Sequence, residues 1–175
     1  MSLNFNKTCP VSEEHGDKKI PLVGIEPSGD GIRYVFACGH GQIIQVVGTG
    51  AEKLKQISDQ LGNLKDKSID ELYEEMGGLD PSLSSEDLKN TLVKKKKGES
   101  IFDKNTPAIK KTICEDLKFC KYVKYYKEIP VPTGFVVAYN LFTSSGLELA
   151  MITYLVSLFM RLGIDKLKKW CECDR

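Results

Sequence analysis

The sequence predicts an α+β protein in which a small antiparallel β-meander, stabilised by a zinc ion, packs with several helices and a buried C-terminal helix. Three observations carry that expectation. Three short apolar runs separated by glycine-bearing turns lie between residues 20 and 47. Apolar residues then recur at helical spacing over most of the remaining chain. Finally, two cysteines and two histidines, Cys9, His15, Cys38 and His40, fall within the first 40 residues, and that is the ligand set of a closed zinc site.

The bulk composition agrees with a folded core. The chain has 175 residues, 41% of them hydrophobic and 28% charged, which excludes a disordered polyelectrolyte and leaves room for one domain or two small ones. Its net charge of +1 hides an asymmetry. Residues 1–93 hold nine Lys/Arg against fifteen Asp/Glu, whereas residues 94–175 hold sixteen against nine. The two halves, read as a meander with acidic helices (1–93) and a basic helix, strand and buried helix (94–175), could attract one another as one continuous unit. Alternatively the second half meets an acidic partner. Only three basic residues are arginine, which lowers the expectation of nucleic acid as that partner, because the bidentate fork suits phosphates and base edges. Met1 to Lys7 shows no apolar run behind its charge, so no secretory signal is read there and a reducing cytoplasmic setting is expected. All six cysteines are then expected to be thiols or metal ligands, not disulfides.

In order along the chain, residues 8–17 are polar and turn-rich and read as a ligand-bearing loop. Strands are expected at Ile20–Glu26, Gly31–Ala37 and Gly41–Val47, the first two joined by Pro27-Ser28-Gly29-Asp30. A helix from Ala51 carries Leu54, Ile57 and Leu61 at one face and is expected to stop at Gly62. Ser68-Ile69-Asp70-Glu71 fits a capping box, and Gly77-Gly78 closes that helix. A short helix begins near Ser84. Lys94 to Ser100, four like charges and then a glycine, reads as an exposed loop or domain boundary. Thr106-Pro107 reads as the start of a basic helix reaching Tyr125, with Ile109, Ile113, Cys120 and Val123 along one stripe. Ile129 to Gly134 is expected to be non-helical and Phe135–Phe142 to be a strand. Ser145-Gly146-Leu147-Glu148 repeats the capping-box pattern before a run to Leu162 that is apolar on nearly every face. That run is too short for a bilayer, so it is expected to be a core helix or a homo-oligomer contact, with no membrane involved.

The chemistry converges on the turn Cys38-Gly39-His40. A close pair on a turn presents two ligands to one ion, and Cys9 with His15 completes a Cys2His2 set. The five-residue gap between Cys9 and His15 and the one-residue gap between Cys38 and His40 depart from the commoner spacings. Were one ligand missing, water would take its place, with Glu13 or Glu14 as general base. The later cysteines echo these gaps at Cys114/Cys120 and Cys171/Cys173. On a continuous helix, residues six apart point about 120° apart, so Cys114 and Cys120 share an ion only if the helix bends or ends between them. Two expected helix starts, Gly48-Thr49-Gly50 and Ser144-Ser145-Gly146, offer N–H groups to an anion. Lys94, Lys95, Lys96, Lys97, Lys110, Lys121 and Lys124, interleaved with tyrosines, are the candidate nucleic-acid face, against the commoner reading of a solvated helix surface. The leading expectation is a non-catalytic zinc-containing interaction protein whose partner is a protein or nucleic acid. The alternative is an enzyme, either a metal-dependent hydrolase or one acting on a phosphate-bearing ligand.

Overall fold

A computed structural model describes residues 9–10, 15, 20, 22–29, 31–45, 49–123, 128–129 and 131–173. The expected meander is present: β1 (Leu22–Ser28), β2 (Gly31–Phe36) and β3 (Gly41–Gln45) form an antiparallel sheet in the order β1-β2-β3. Alternation along β2 sends Ile32, Tyr34 and Phe36 into the core while Arg33 and Val35 stay partly exposed. Among the described residues seven α-helices follow: α1 (Thr49–Leu64), α2 (Ile69–Gly78), α3 (Thr91–Lys111), α4 (Phe119–Tyr122), α5 (Val131–Ser145), α6 (Leu149–Met160) and α7 (Ile164–Cys171). The chain is an α+β protein, and one cluster of buried side chains runs through it from Cys9 to Leu167. At its centre lies α6, whose Ile152, Leu155, Val156 and Phe159 are fully buried. No helix among the described residues is long and apolar enough to cross a membrane.

Several elements differ from the sequence reading, each for a physical reason. The Phe135–Phe142 segment is helical, not a strand. Its Val and Phe residues favour strands in isolation, but here they are covered on nearly all sides by β1 and α6, and burial overrides propensity. Pro132, expected to exclude a helix, sits in the first turn of α5, where a missing N–H leaves no bond unmade. The next residue, Thr133, is buried and donates its hydroxyl to the Val23 carbonyl at 3.0 Å, so the start of α5 covers the outer edge of the sheet. Ser145 ends α5 instead of opening α6. The residue before α6 is Glu148, which makes no side-chain cap. Gly62 does not stop α1, which continues to Leu64 and is then held by Arg161, whose guanidinium donates to the carbonyls of Leu64, Lys65 and Lys67.

The largest difference concerns Lys94 to Ser100, which lies inside α3, the boundary at residues 93 and 94 included. Asn90 caps that helix by accepting from the N–H groups of Leu92 and Val93. Lys94 pairs with Glu74 at 2.7 Å, Lys95 with Asp70 at 2.8 Å and Lys97 with Asp80 at 3.4 Å, so the acidic and basic halves meet along α2 and α3. Thr106-Pro107 is also interior to α3, with the Thr106 hydroxyl donating to the Phe102 carbonyl one turn back. The basic helix then does not run on to Tyr125. A π-helical turn at Thr112–Asp116 and a left-handed Lys118 break it before α4. That break turns Cys120 toward the end of α7. Disulfides join Cys114 to Cys171 and Cys120 to Cys173, correcting the expectation that all six cysteines are thiols or ligands.

Candidate metal centre

The β2–β3 turn is built by its backbone. The Phe36 N–H donates to the His40 carbonyl at 3.0 Å, and the Gly39 N–H donates to the Phe36 carbonyl at 2.8 Å. This leaves a three-residue loop whose last residue must be left-handed, and Gly39, with φ +85°, fills that position without a Cβ clash. Cys38 and His40 therefore flank a fixed bend. Beyond it, the Arg33 side chain lies across the face of Gly41, where any Cβ would sit 1.9 Å from Nε, and pairs with Glu26 at 2.7 Å. Arg33 thus ties all three strands beside the turn. Cys9 is buried, and its N–H donates to the Ile20 carbonyl at 2.8 Å, which fastens the opening loop next to the sheet.

All four residues of the expected ligand set come together, with their ligand atoms within 4.8 Å of one another. Cys38 Sγ lies 3.6 Å from Cys9 Sγ and 3.3 Å from His40 Nδ1. His40 Nδ1 is also 3.7 Å from Cys9 Sγ and 3.1 Å from His15 Nε2. Thiolate bonds of about 2.3 Å and imidazole bonds of about 2.0–2.1 Å to a central tetrahedral ion require edges of about 3.8 Å between sulfurs, 3.6 Å between sulfur and nitrogen and 3.3 Å between nitrogens. These four separations fall within about 0.3 Å of those edges. Hydrogen bonding alone accounts for them poorly. A ring nitrogen carries one in-plane proton or one in-plane lone pair, whereas His40 Nδ1 faces two sulfurs and a second imidazole nitrogen. One cation at the centre satisfies all four atoms at once. This group could hold a metal ion.

The remaining candidates are dispersed. Thr49 and Gly50 open α1, and Gly48 lies outside the described residues. Ser144, Ser145 and Gly146 are at a helix end, where the Ser144 and Ser145 hydroxyls donate to the Asn140 and Leu141 carbonyls. A helix end presents carbonyls and the negative pole of its dipole, so the N–H groups expected there for an anion are replaced by groups that repel one. Of the lysines, Lys94, Lys95 and Lys97 are paired with α2 or the residues just after it. Lys110 lies 5.1 Å from the Trp170 ring, and Lys96 and Lys121 are exposed. Lys124, Glu13 and Glu14 fall outside the described residues. Arg33 has no signal in the sequence beyond its place on a strand facing a glycine, and only the strand register reveals its role.

Fold and site define a small α+β protein with a three-stranded sheet carrying a Cys2His2 group at one hairpin. No protein-family model, no curated protein and no solved structure matches the chain.

Proposed function

We propose that the Cys9, His15, Cys38 and His40 group holds a structural zinc ion and that the protein is a non-catalytic, zinc-stabilised interaction protein. The observation that carries this is that four of the six separations among these ligand atoms lie within about 0.3 Å of the edges of a tetrahedron with two sulfurs and two nitrogens at its corners. Two thiolates and two imidazoles select zinc over harder cations such as magnesium or calcium. Four protein ligands fill a tetrahedral shell, leaving no position for a reacting water, so the structural role is favoured over the hydrolytic one. The ion would join the opening loop to the first hairpin across a sequence separation of 29 from Cys9 to Cys38.

A protein is the favoured partner, because the lysine run that best suited a polyanion is largely neutralised within the chain. Elemental analysis of protein purified without added metal and without reductant tests the reading. The expected result is one zinc per chain, lost in Cys38→Ala and His40→Ala. Full metal content in both variants would overturn it.

A further inference from the structure

We infer that the cleft between α1, α2 and α6 is a binding site for a small uncharged polyhydroxylated ligand, of the size and chemistry of a monosaccharide or a cyclitol. The cleft shares no residue with the Cys/His group. Its volume is about 350 Å3, inside the range of about 300–1,000 Å3 that small-molecule sites occupy. It follows from helical spacing. Gln60, Asn63 and Leu64 in α1, and Ala150, Thr153 and Tyr154 in α6, each stand at i, i+3 and i+4, so each set lies on one face of its helix. The two faces oppose one another where α1 packs on α6, and α2 closes the side with Glu75. Apart from this face, α6 is a core helix, LAMITYLVSLFM, and two of its three hydroxyl-bearing residues line the cleft.

Hydrogen-bonding capacity that the fold leaves unused gathers here. Thr153 is 1% exposed, and its hydroxyl is shared between Gln60 Oε1 at 2.8 Å and the Leu149 carbonyl at 2.9 Å. That bond fixes one end of the Gln60 amide and leaves its NH2 group with no protein partner among the described residues. Asn63 spends neither end of its amide on the protein. The Tyr154 hydroxyl donates to Glu75 Oε2 at 2.9 Å and keeps its lone pairs, while Lys67 donates to Glu75 Oε1 at 2.5 Å and keeps two further N–H groups. Donors therefore come from Gln60, Asn63 and Lys67, and acceptors from Asn63, Tyr154 and Glu75.

The charges decide the class of ligand. Lys67 and Glu75 are the two charged residues of the lining, and they pair with each other. An ion of either sign entering the cleft meets a like charge beside the unlike one, so neither sign is favoured. A hydroxyl, with one donor and two acceptor positions, uses both kinds of group without breaking the pair. An apolar molecule would instead strand these groups without partners or water. The rim is held before anything binds. Arg161 donates to the carbonyls of Leu64, Lys65 and Lys67, fixing the segment from which Lys67 reaches Glu75, and a preformed rim lowers the cost of ordering on binding.

The experiment follows the isotope-labelled full-length protein by two-dimensional NMR as glucose, galactose, mannose, N-acetylglucosamine and myo-inositol are added in turn. Glutarate and putrescine serve as charged counterparts. At least one of the polyhydroxylated compounds is expected to shift the side-chain NH2 signals of Gln60 and Asn63 saturably, and the two ions are expected to leave them in place. Ala150→Phe, which fills the cleft without removing a hydrogen-bonding group, should abolish the response. Asn63→Ala should weaken binding about five- to tenfold, the loss expected for one or two neutral hydrogen bonds. Absence of a saturable shift with every polyhydroxylated compound, an equal or larger response to either ion, or an undiminished response in Ala150→Phe would each overturn the inference. Should Ala150→Phe fail to fold, Asn63→Ala decides alone, because its exposed position leaves the fold untouched. Unchanged affinity in that variant overturns the site.

Discussion

The β2–β3 hairpin and the α2–α3 hairpin are held together in opposite ways. At the first, the chain turns on Gly39, leaves β3 as an open edge with Ile43 64% exposed, and gathers donor atoms from residues as far apart as 9 and 40. At the second, two helices touch backbone to backbone. A Cβ on Gly77 would lie 1.8 Å from the Lys94 carbonyl oxygen, and one on Gly98 would lie 1.9 Å from the Tyr73 carbonyl oxygen. Three ion pairs then line the seam. Where a small sheet has one half-open side, a Cys/His group stands ready to supply the cross-link. Where helices meet along their length, absent side chains bring the backbones close enough for charge to act.

The largest test of that contrast is removal of the proposed metal. Structural zinc contributes about 10 kcal/mol or more in small peptides that fold only with the ion. Here β1 also rests on α5, so the loss is expected to be local and not global. Hydrogen exchange after chelation should show protection at the Phe36 and Gly39 amides falling by about 100-fold or more, while the amides of α2 and α3 hold theirs. Equal loss in both hairpins would show that the two are not independently held.

The second test reverses a familiar sign. Gly→Ala inside a helix ordinarily stabilises by about 1 kcal/mol. Gly98→Ala should instead destabilise by about 2–3 kcal/mol, because the new methyl group meets the backbone of α2, which cannot swing aside as a long side chain would. Denaturant midpoints at unchanged metal content measure it, and a neutral or stabilising result would mean that the helices do not approach this closely.

These two regions also mark what the sequence could and could not convey. Strand alternation over residues 22–45 and the Gly-bearing turns made the meander legible, because each local preference agreed with the final packing. The ligand set was legible for a similar reason, since four donors in a short stretch have few other uses. Gly98 was misread as a breaker because its conformational cost is visible in one dimension and its packing benefit, against Tyr73, is not. The strand expected at Phe135–Phe142 failed likewise: β-branched and aromatic residues signal burial as much as extension, and only the neighbouring α6 decides between them. The disulfides depended on a helix break at Lys118, a lysine with no local reason to be left-handed.

A smaller effect concerns the tether between α2 and the core. The Tyr154 hydroxyl donates to Glu75 Oε2 at 2.9 Å, while Lys67 holds the other oxygen of that carboxylate at 2.5 Å. Burial, reinforced by the hydrogen bond to the anionic Glu75, pushes the Tyr154 phenol up to about 12. Between about pH 10, where an unfolded tyrosine ionises, and about 12, the unfolded chain binds fewer protons than the folded one, so stability falls as pH rises. Tyr154→Phe should remove this part of the alkaline decline and leave the pH profile below about pH 10 as it is in the wild type. An unchanged alkaline slope, followed by thermal melts, would place the shift elsewhere.

The smallest expected effect separates the glycine contact from the charges laid over it. Lys94 and Glu74 are mostly covered, with side chains 22% and 27% exposed, but both still reach solvent, so their pairing is worth about 0.5–1 kcal/mol and is screened by salt. A double-mutant cycle with Lys94→Met and Glu74→Gln should return a coupling of that size at low salt and close to nothing at about 1 M, where the Debye length shrinks to about 3 Å. Coupling that survives high salt would mean the pair is more buried than the seam allows. No coupling at either salt would leave the helix contact resting on Gly77 and Gly98 alone. The lysines would then be free to serve a polyanion, and salt-dependent oligonucleotide binding would rise in place of hairpin stability.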